Sequence, residues 1–300
     1  MSHQEISILI PAYHSDCVRL VRELSDQANR LNVAYEIIVA DDGSTDKVTI
    51  EANREISEIV NCRFIERQAN VGRAAIRNFL AREASFAYLL YIDSDMTVVS
   101  PDFLSRYMSS LPAQVVDGGV AIIAHSAEQK KLLRYLYEKA EAPNYSATQR
   151  QQSPFQHFRT TNFLIRRSVM LAYPFDERFR HYGYEDVMLG KVLHHHHVAI
   201  THIDNPVGFH HFESNPEFVA KTEEGLRTLY EFRSDLRGYS RLLTFVQGIH
   251  IPAILWLLRL WHRMFGAMER RNLCGSRPCL SLFKLYRLGY YLSLLQHREG

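Results

Sequence analysis

A strand-length apolar run that ends in two acids, residues 87–96 (AYLLYIDSDM), limits what this chain can fold into. Leu89, Leu90, Tyr91 and Ile92 call for burial, and Asp93 and Asp95 then arrive one residue apart at the carboxyl end of the same strand. That is poor packing unless something cationic sits there. A solvated acidic turn accounts for the same residues, because Asp and Ser are ordinary turn formers. A motif as short as Asp-x-Asp recurs by accident, so its neighbours must decide.

Three other runs share its character. Residues 6–10 are continuously apolar and stop at Pro11, as expected of a strand buried on both faces of a parallel sheet. Residues 16–31 place Val18, Val21, Leu24, Ala28 and Leu31 at helical spacing. Residues 36–40 form a second buried strand that ends in Asp41-Asp42-Gly43-Ser44-Thr45-Asp46, where Thr45 or Asp46 caps the next helix. Residues 63–66 make a short third strand, and Asn70-Val71-Gly72 turns into a helix over 73–84. This alternation predicts a doubly wound α/β layer. Ligands of such sheets bind outside the carboxyl ends of the strands, at the switch point in strand order. Here those ends carry Pro11-Ala12-Tyr13, Asp41-Asp42 and Asp93/Asp95, an aromatic and two acid pairs aimed at one crevice.

Beyond residue 101 the pattern loosens. It predicts a strand over 118–124, a helix over 128–142, a polar loop over 143–157 and a strand over 160–166. A short helix over 168–172 and a loop over 174–179 come next. A helix over 187–193 follows Gly183-Tyr184-Glu185-Asp186 and holds both acids in its first turn, where carboxylates also serve the helix dipole. His194 to His197 read as the frayed end of that helix, since consecutive helical residues point in different directions. A last strand over 198–203 precedes His210 and His211, and a helix covers 217–232. There is no internal repeat.

The formal charge of +2 gives no electrostatic footprint for nucleic acid, which is excluded as a partner. Cys17, Cys62, Cys274 and Cys279 are spaced for neither a zinc ribbon nor a small disulfide scaffold, and read as reduced cytosolic thiols. The opening MSHQEISILIPAY lacks a basic flank and a small-residue cleavage site, so it reads as a first strand rather than a signal peptide. A cytoplasmic protein is expected.

Taken in order and spacing, IPAY, VADDGSTD, NVGRAAIRN, YIDSDM and GYEDVMLG resemble the family 2 glycosyltransferases with the GT-A fold, over roughly residues 6–232. The resemblance implies a Rossmann-like, doubly wound mixed sheet flanked by helices, with a C-terminal helical appendage. It also implies a nucleotide-diphosphate-sugar donor, Mn²⁺ or Mg²⁺, and inversion at the anomeric carbon. On the matching positions, Pro11 and Tyr13 line the base, Asp42 accepts a hydrogen bond from uracil N3, and Asp41 supports it. Arg77 faces the nucleotide, Asp93 lies near the ribose and Asp95 binds the metal. Arg73 and Arg77 lie one helical turn apart on a shared face from which both can reach the diphosphate, a solvated basic face being the alternative for Arg73. His210 or His211 is either a second metal ligand or a loop residue lining the donor pocket. Asp186 is the general base, and Glu185 positions it or holds the acceptor.

The implied reaction moves a hexose or N-acetylhexosamine from a UDP-sugar to a hydroxyl of a glycan or glycolipid in surface polysaccharide synthesis. A dTDP- or GDP-sugar is the alternative donor. From another class, the rival is a non-catalytic nucleotide-sugar-binding protein of a glycan assembly complex, against which both acid pairs stand intact. A nucleotidyltransferase would be expected to show a Gly-rich, Lys-bearing phosphate loop after the first strand, and IPAYHSD has none. The expected organisation is a catalytic domain over 1–240, with a nucleotide-binding half 1–100 and an acceptor-binding half 101–240, then a helical extension over 241–300.

Residues 242–261 are interrupted by Gln247, His250, Pro252 and Arg259, which argues against a membrane-spanning helix. Two readings of the tail stand open. Trp256, Trp261, Arg259, Arg263, Arg270, Arg271 and the 283–295 stretch fit amphipathic helices lying on an anionic surface, at the inner face of the membrane. The same residues also fit helices packed on the catalytic domain or on a second copy in a homo-oligomer.

Overall fold

Ten strands carry the architecture in the computed structural model, which describes residues 5–295; residues 1–4 of the predicted first-strand stretch and 296–300 of the tail lie outside it. They are β1 (Glu5–Ala12), β2 (Ala34–Asp41), β3 (Cys62–Glu66), β4 (Tyr88–Ile92), β5 (Met96–Val98), β6 (Val115–Asp117), β7 (Val120–Ala121), β8 (Asn162–Arg166), β9 (Ile200–His202) and β10 (Val207–Phe209). Seven form one sheet in the order β3-β2-β1-β4-β8-β6-β9. β1 pairs in parallel with β2 and β4, and β2 with β3, whereas β8 runs antiparallel to both β4 and β6. The sheet is therefore mixed and doubly wound, as the resemblance implied. Its order reverses at β1, between β2 and β4, which puts the carboxyl ends carrying Tyr13, Asp42 and Asp93 at the switch point. Ile6, Ile8, Leu9 and Ile10 are fully buried, which explains why β1 shows no alternation.

The chain packs as two units. One comprises Met1–Ile123, Pro143–Arg180 and Leu189–His210 and contains both sheets. The other comprises Ala124–Ala142, His181–Met188 and His211–Gly300 and is helical. In the helical unit, Leu133, Phe218, Val219, Leu273, Phe283 and Tyr286 share one core, so the helices Pro252–Leu273 and Leu280–Leu294 pack with Asn215–Glu231.

Several expectations are corrected. Pro11 does not stop β1, which continues to Ala12 opposite Asp41, because a proline at a strand end removes one ladder donor and no more. The strand expected over 118–124 shrinks to β7, and β6 precedes it in the other sheet, the two parted at Gly118-Gly119. Both glycines are required there. A Cβ on Gly119 (φ +82°) would meet Arg150 Nη2 at 2.6 Å, and one on Gly118 would collide with the Tyr107 hydroxyl. The polar loop over 143–157 contains a helix, Ala147–Gln151, capped by Ser146. It is held by the buried Arg150, whose Nη1 donates to Asp117 Oδ1 at 2.9 Å and whose Nη2 donates to the Ile203 carbonyl at 2.7 Å. Pro252, counted as an interruption, occupies the first turn of Pro252–Leu273, where a missing N–H costs nothing. β5, β10 and the helix Phe103–Ser109 were not expected at all; β5 and β10, at three residues each, are too short to show a period.

Candidate active site

The acids at the end of β2 are occupied by their own loops. Asp41 accepts from Ser44 N at 2.8 Å and from the Ser44 hydroxyl, which fixes the turn through Gly43. Gly43 has φ +75°, and a Cβ there would lie 2.5 Å from the Ala69 carbonyl carbon. Asp42 is 4% exposed; its Oδ1 accepts from Val71 N and its Oδ2 from Gly72 N, each at 3.0 Å. Burial pushes the Asp42 carboxyl above the usual range, while those two N–H groups and the Arg67 charge pull it back. The residue expected to read uracil thus also braces the NVG turn. Each carboxylate oxygen has a second lone pair, so the two tasks are chemically compatible. Tyr13 is half exposed and meets the His14 ring edge-on at 4.2 Å, leaving an aromatic at the strand end.

At the end of β4, Arg77 differs from its expected placement. It is 2% exposed, and its Nη2 donates to Asp93 Oδ1 at 2.6 Å, while its Nη1 donates to the Arg73 carbonyl at 3.3 Å. Tyr91 Oη binds the Arg77 carbonyl at 3.0 Å, and the Phe175 ring lies 5.5 Å from the guanidinium. Arg77 therefore orients Asp93 from within the core instead of facing outward, whereas Arg73 is exposed. Helical spacing puts the two on one side, but only one is presented to solvent.

Asp95 is tied through its backbone: its carbonyl accepts from His210 N at 3.0 Å. Of the two histidines left open by the sequence, His210 belongs with Asp95 in the sheet-bearing unit, and His211 belongs to the helical unit. Among the described residues no three His, Cys, Asp or Glu side chains cluster as a protein cage for a metal. The available donors are carboxylate oxygens on Asp93 and Asp95, with His210 held beside Asp95 through its backbone N–H. That set suits Mg²⁺ or Mn²⁺, which keep water and phosphate oxygens in most coordination positions.

The Glu185-Asp186 pair sits in the helical unit at the start of the helix Glu185–His195. Gly183 (φ +94°) and Tyr184 (φ +71°) precede it, two consecutive residues in the left-handed region. A tyrosine there costs about 1–3 kcal/mol and persists only where the surroundings enforce it. The enforcement is visible: Tyr182 N donates to Glu224 Oε1 at 3.0 Å, and Thr228 Oγ1 donates to the Tyr182 carbonyl at 3.0 Å. Burial pushes the Tyr184 phenol up to about 12, so it stays a neutral donor near neutral pH. Glu185 is 4% exposed; Asp186 is half-buried, with Oδ1 accepting from Val187 N at 2.7 Å.

Asn78 was missed. Its amide exchanges two hydrogen bonds with the backbone of Phe175, both 2.9 Å, and a third reaches Glu177 Oε1, anchoring the loop after residue 174. A buried asparagine between Ile76 and Leu80 was the signal, since such a group must find partners.

The chain matches the Glycosyl transferase family 2 profile over residues 7–173. It is 27% identical over 242 residues to the chondroitin synthase of Escherichia coli, a match covering 68% of this chain and 34% of that protein. This chain thus spans about a third of the length of that relative. Among solved structures, the mannosyltransferase PcManGT of Pyrobaculum calidifontis superposes with a TM-score of 0.54 at 14% identity, covering 98% of this chain and 87% of that one. S. aureus TarS 1–349 gives a TM-score of 0.50 at 15% identity, covering 99% and 92%. At such identities these two structures speak for the fold alone. With the profile covering more than half of its residues and the mixed GT-A sheet in place, the chain belongs to glycosyl transferase family 2.

Proposed function

We propose that this protein is a metal-dependent, inverting glycosyltransferase that moves a hexose or N-acetylhexosamine from a UDP-sugar to a hydroxyl of a glycan or glycolipid, in surface polysaccharide assembly. The observation that carries the reading is the switch point of the sheet, where β1, β2 and β4 end in Tyr13, Asp42 and the Arg77-held Asp93. Pro11 and Tyr13 pack against the base. Asp42, steadied beside Asp41, accepts from the imide N–H, which favours uracil or thymine. Asp93 accepts from the ribose, Arg73 offers charge to the diphosphate, and Asp95 holds Mn²⁺ or Mg²⁺, with His210 as its protein neighbour. When bound, the cation neutralises charge on the departing nucleoside diphosphate.

Asp186 removes the acceptor hydroxyl's proton, and the Glu185 carboxylate orients it or the acceptor. One base and one displacement give inversion. The assignment of Asp186 rests on its place in the GYED motif. The E. coli relative is a chondroitin synthase, which supports a glycan acceptor. The mannosyltransferase was solved with GDP-Man and Mn²⁺, so a GDP-sugar remains the alternative donor, beside dTDP-sugars. Residues 1–240 are assigned to catalysis, in halves 1–100 and 101–240, and 241–300 to attachment. No helix among the described residues is long and apolar enough to cross a membrane. A cytoplasmic location completes the proposal.

The test is a panel of UDP-, dTDP- and GDP-sugars screened by unfolding with and without Mn²⁺. A donor at a hundredfold its dissociation constant is expected to add about 2.7 kcal/mol, only with metal and only with intact Asp95. Stabilisation by no member of the panel overturns the reading. Stabilisation without transfer or donor hydrolysis, across a set of glycan acceptors, marks the non-catalytic binding protein instead.

A further inference from the structure

The helix Pro252–Leu273 has two unlike faces. Inward, Gly266, Glu269 and Leu273 are buried, and His262 fits against Gly289 of the next helix, where a Cβ would come within 2.7 Å of its ring. Outward, Ile254, Trp256, Leu257, Trp261, Met264 and Met268 are each between 42% and 68% exposed. Ile254, Leu257, Trp261, Met264 and Met268 recur at helical spacing over fifteen positions of one helix, an apolar stripe about 20 Å long, and Trp256 lies beside it on the side of Arg263. Patches of this kind on a protein surface mark a contact with something else.

Charge identifies the occupant. The one acid of this helix, Glu269, is buried and accepts from Trp261 Nε1 at 2.7 Å. The exposed charged residues of the helix are all arginines: Arg263, Arg271, and Arg270, which Glu223 neutralises at 2.8 Å. A second copy laid on the stripe, parallel or antiparallel, would bring a facing helix with the same arginines and no exposed acid to answer them. An anionic lipid surface answers both halves of the face. Tryptophan settles at the boundary between headgroups and acyl chains, and arginine beside it meets the phosphates.

We propose that the Pro252–Leu273 face docks the protein flat on an anionic bilayer, with Trp256, Leu257, Met264 and Met268 entering the interface and Arg263 and Arg271 facing the headgroups. The expected contribution of residues 283–295 is corrected: Phe283, Tyr286, Tyr291 and Leu292 are buried and belong to the core. The proposal rests on no step of sugar transfer, so the two fail separately.

The full chain is floated on sucrose gradients with vesicles of phosphatidylcholine alone or mixed with phosphatidylglycerol. Capture by the mixed vesicles only is expected, weakening in about 1 M salt, where the screening length falls to about 3 Å. Trp256→Ser with Met268→Ser, and separately Arg263→Glu with Arg271→Glu, are each expected to weaken capture at least tenfold while the circular dichroism stays unchanged. All these side chains are exposed, and the wild-type comparison between vesicle types stands without them. No capture, equal capture by both compositions, or a doubled mass in light scattering that Trp256→Ser with Met268→Ser returns to monomer would each overturn the proposal.

Discussion

Arg77 Nη2 lies 2.6 Å from Asp93 Oδ1, and of the two partners only the acid is open to solvent, at 15% against 2%. A buried guanidinium under a slightly open carboxylate sets that carboxylate's position. Arg77→Ala is expected to cost about 3 kcal/mol in urea unfolding, the usual loss when one member of a buried pair is removed. Donor affinity should fall with it. Arg77→Lys keeps the charge but not the fork, and should recover less than half of the loss. Full stability and affinity in the alanine variant would show that Asp93 needs no such support.

Asp42 carries a separable pair of expectations. Asp42→Ala leaves the Val71 N–H without its acceptor and the Gly72 N–H with Asn70 Oδ1 alone, which should destabilise the protein by about 1–3 kcal/mol. If the same carboxylate also reads the base, UDP binding measured by calorimetry should weaken by about 1.5–3 kcal/mol, the range for a hydrogen bond to a charged group. Lost stability with unchanged UDP affinity would leave Asp42 a loop brace only.

The sheet-bearing half was legible because its signals are local. Buried strands, helical spacing and acids at strand ends are written consecutively, and β1 to β3 begin and end within two residues of expectation. What the sequence hid depends on long-range partners. Arg150 looks like a solvated loop residue until Asp117 and His202, 33 and 52 residues away in the chain, close around it. Arg77 looks like a ligand-facing cation because spacing shows which side of a helix it occupies, and only packing shows that Asp93 and Phe175 cover it. The Gly118-Gly119 break reads as part of a strand for the same reason, since what forces it is Arg150 and Tyr107.

Acid stability should depend on Glu213. Burial alone would raise its pKa, but Arg134 and Lys221 more than reverse this and hold it at about 2, against an ordinary 4.5. A depressed carboxylate contributes stability that is complete above the unfolded pKa and is lost as pH falls through the folded one. The contribution is about 3 kcal/mol at neutral pH and disappears between about pH 4.5 and 2. Glu213→Gln should therefore unfold more easily than wild type at pH 6, with the gap closing towards pH 2. A gap constant with pH would mean the pair acts through packing.

Asp186 opens a helix behind two left-handed residues, Gly183 and Tyr184, a strained entry whose conformation the Glu224 and Thr228 contacts enforce. Strain retained at such a place is explained if the carboxylate it delivers has chemistry to perform. Asp186→Asn keeps the size of the side chain and an oxygen for the Val187 N–H contact, so the helix start should survive. What it removes is the proton acceptor. Turnover is expected to fall by about 10²–10⁴-fold, the usual worth of general-base assistance, with donor affinity almost unmoved. Parallel loss of affinity and turnover would make Asp186 a binding residue, and surviving turnover would pass the role to Glu185. The product's anomeric configuration, read by NMR against the donor's, tests the same step independently, because a single back-side displacement inverts and a retained configuration removes the mechanism.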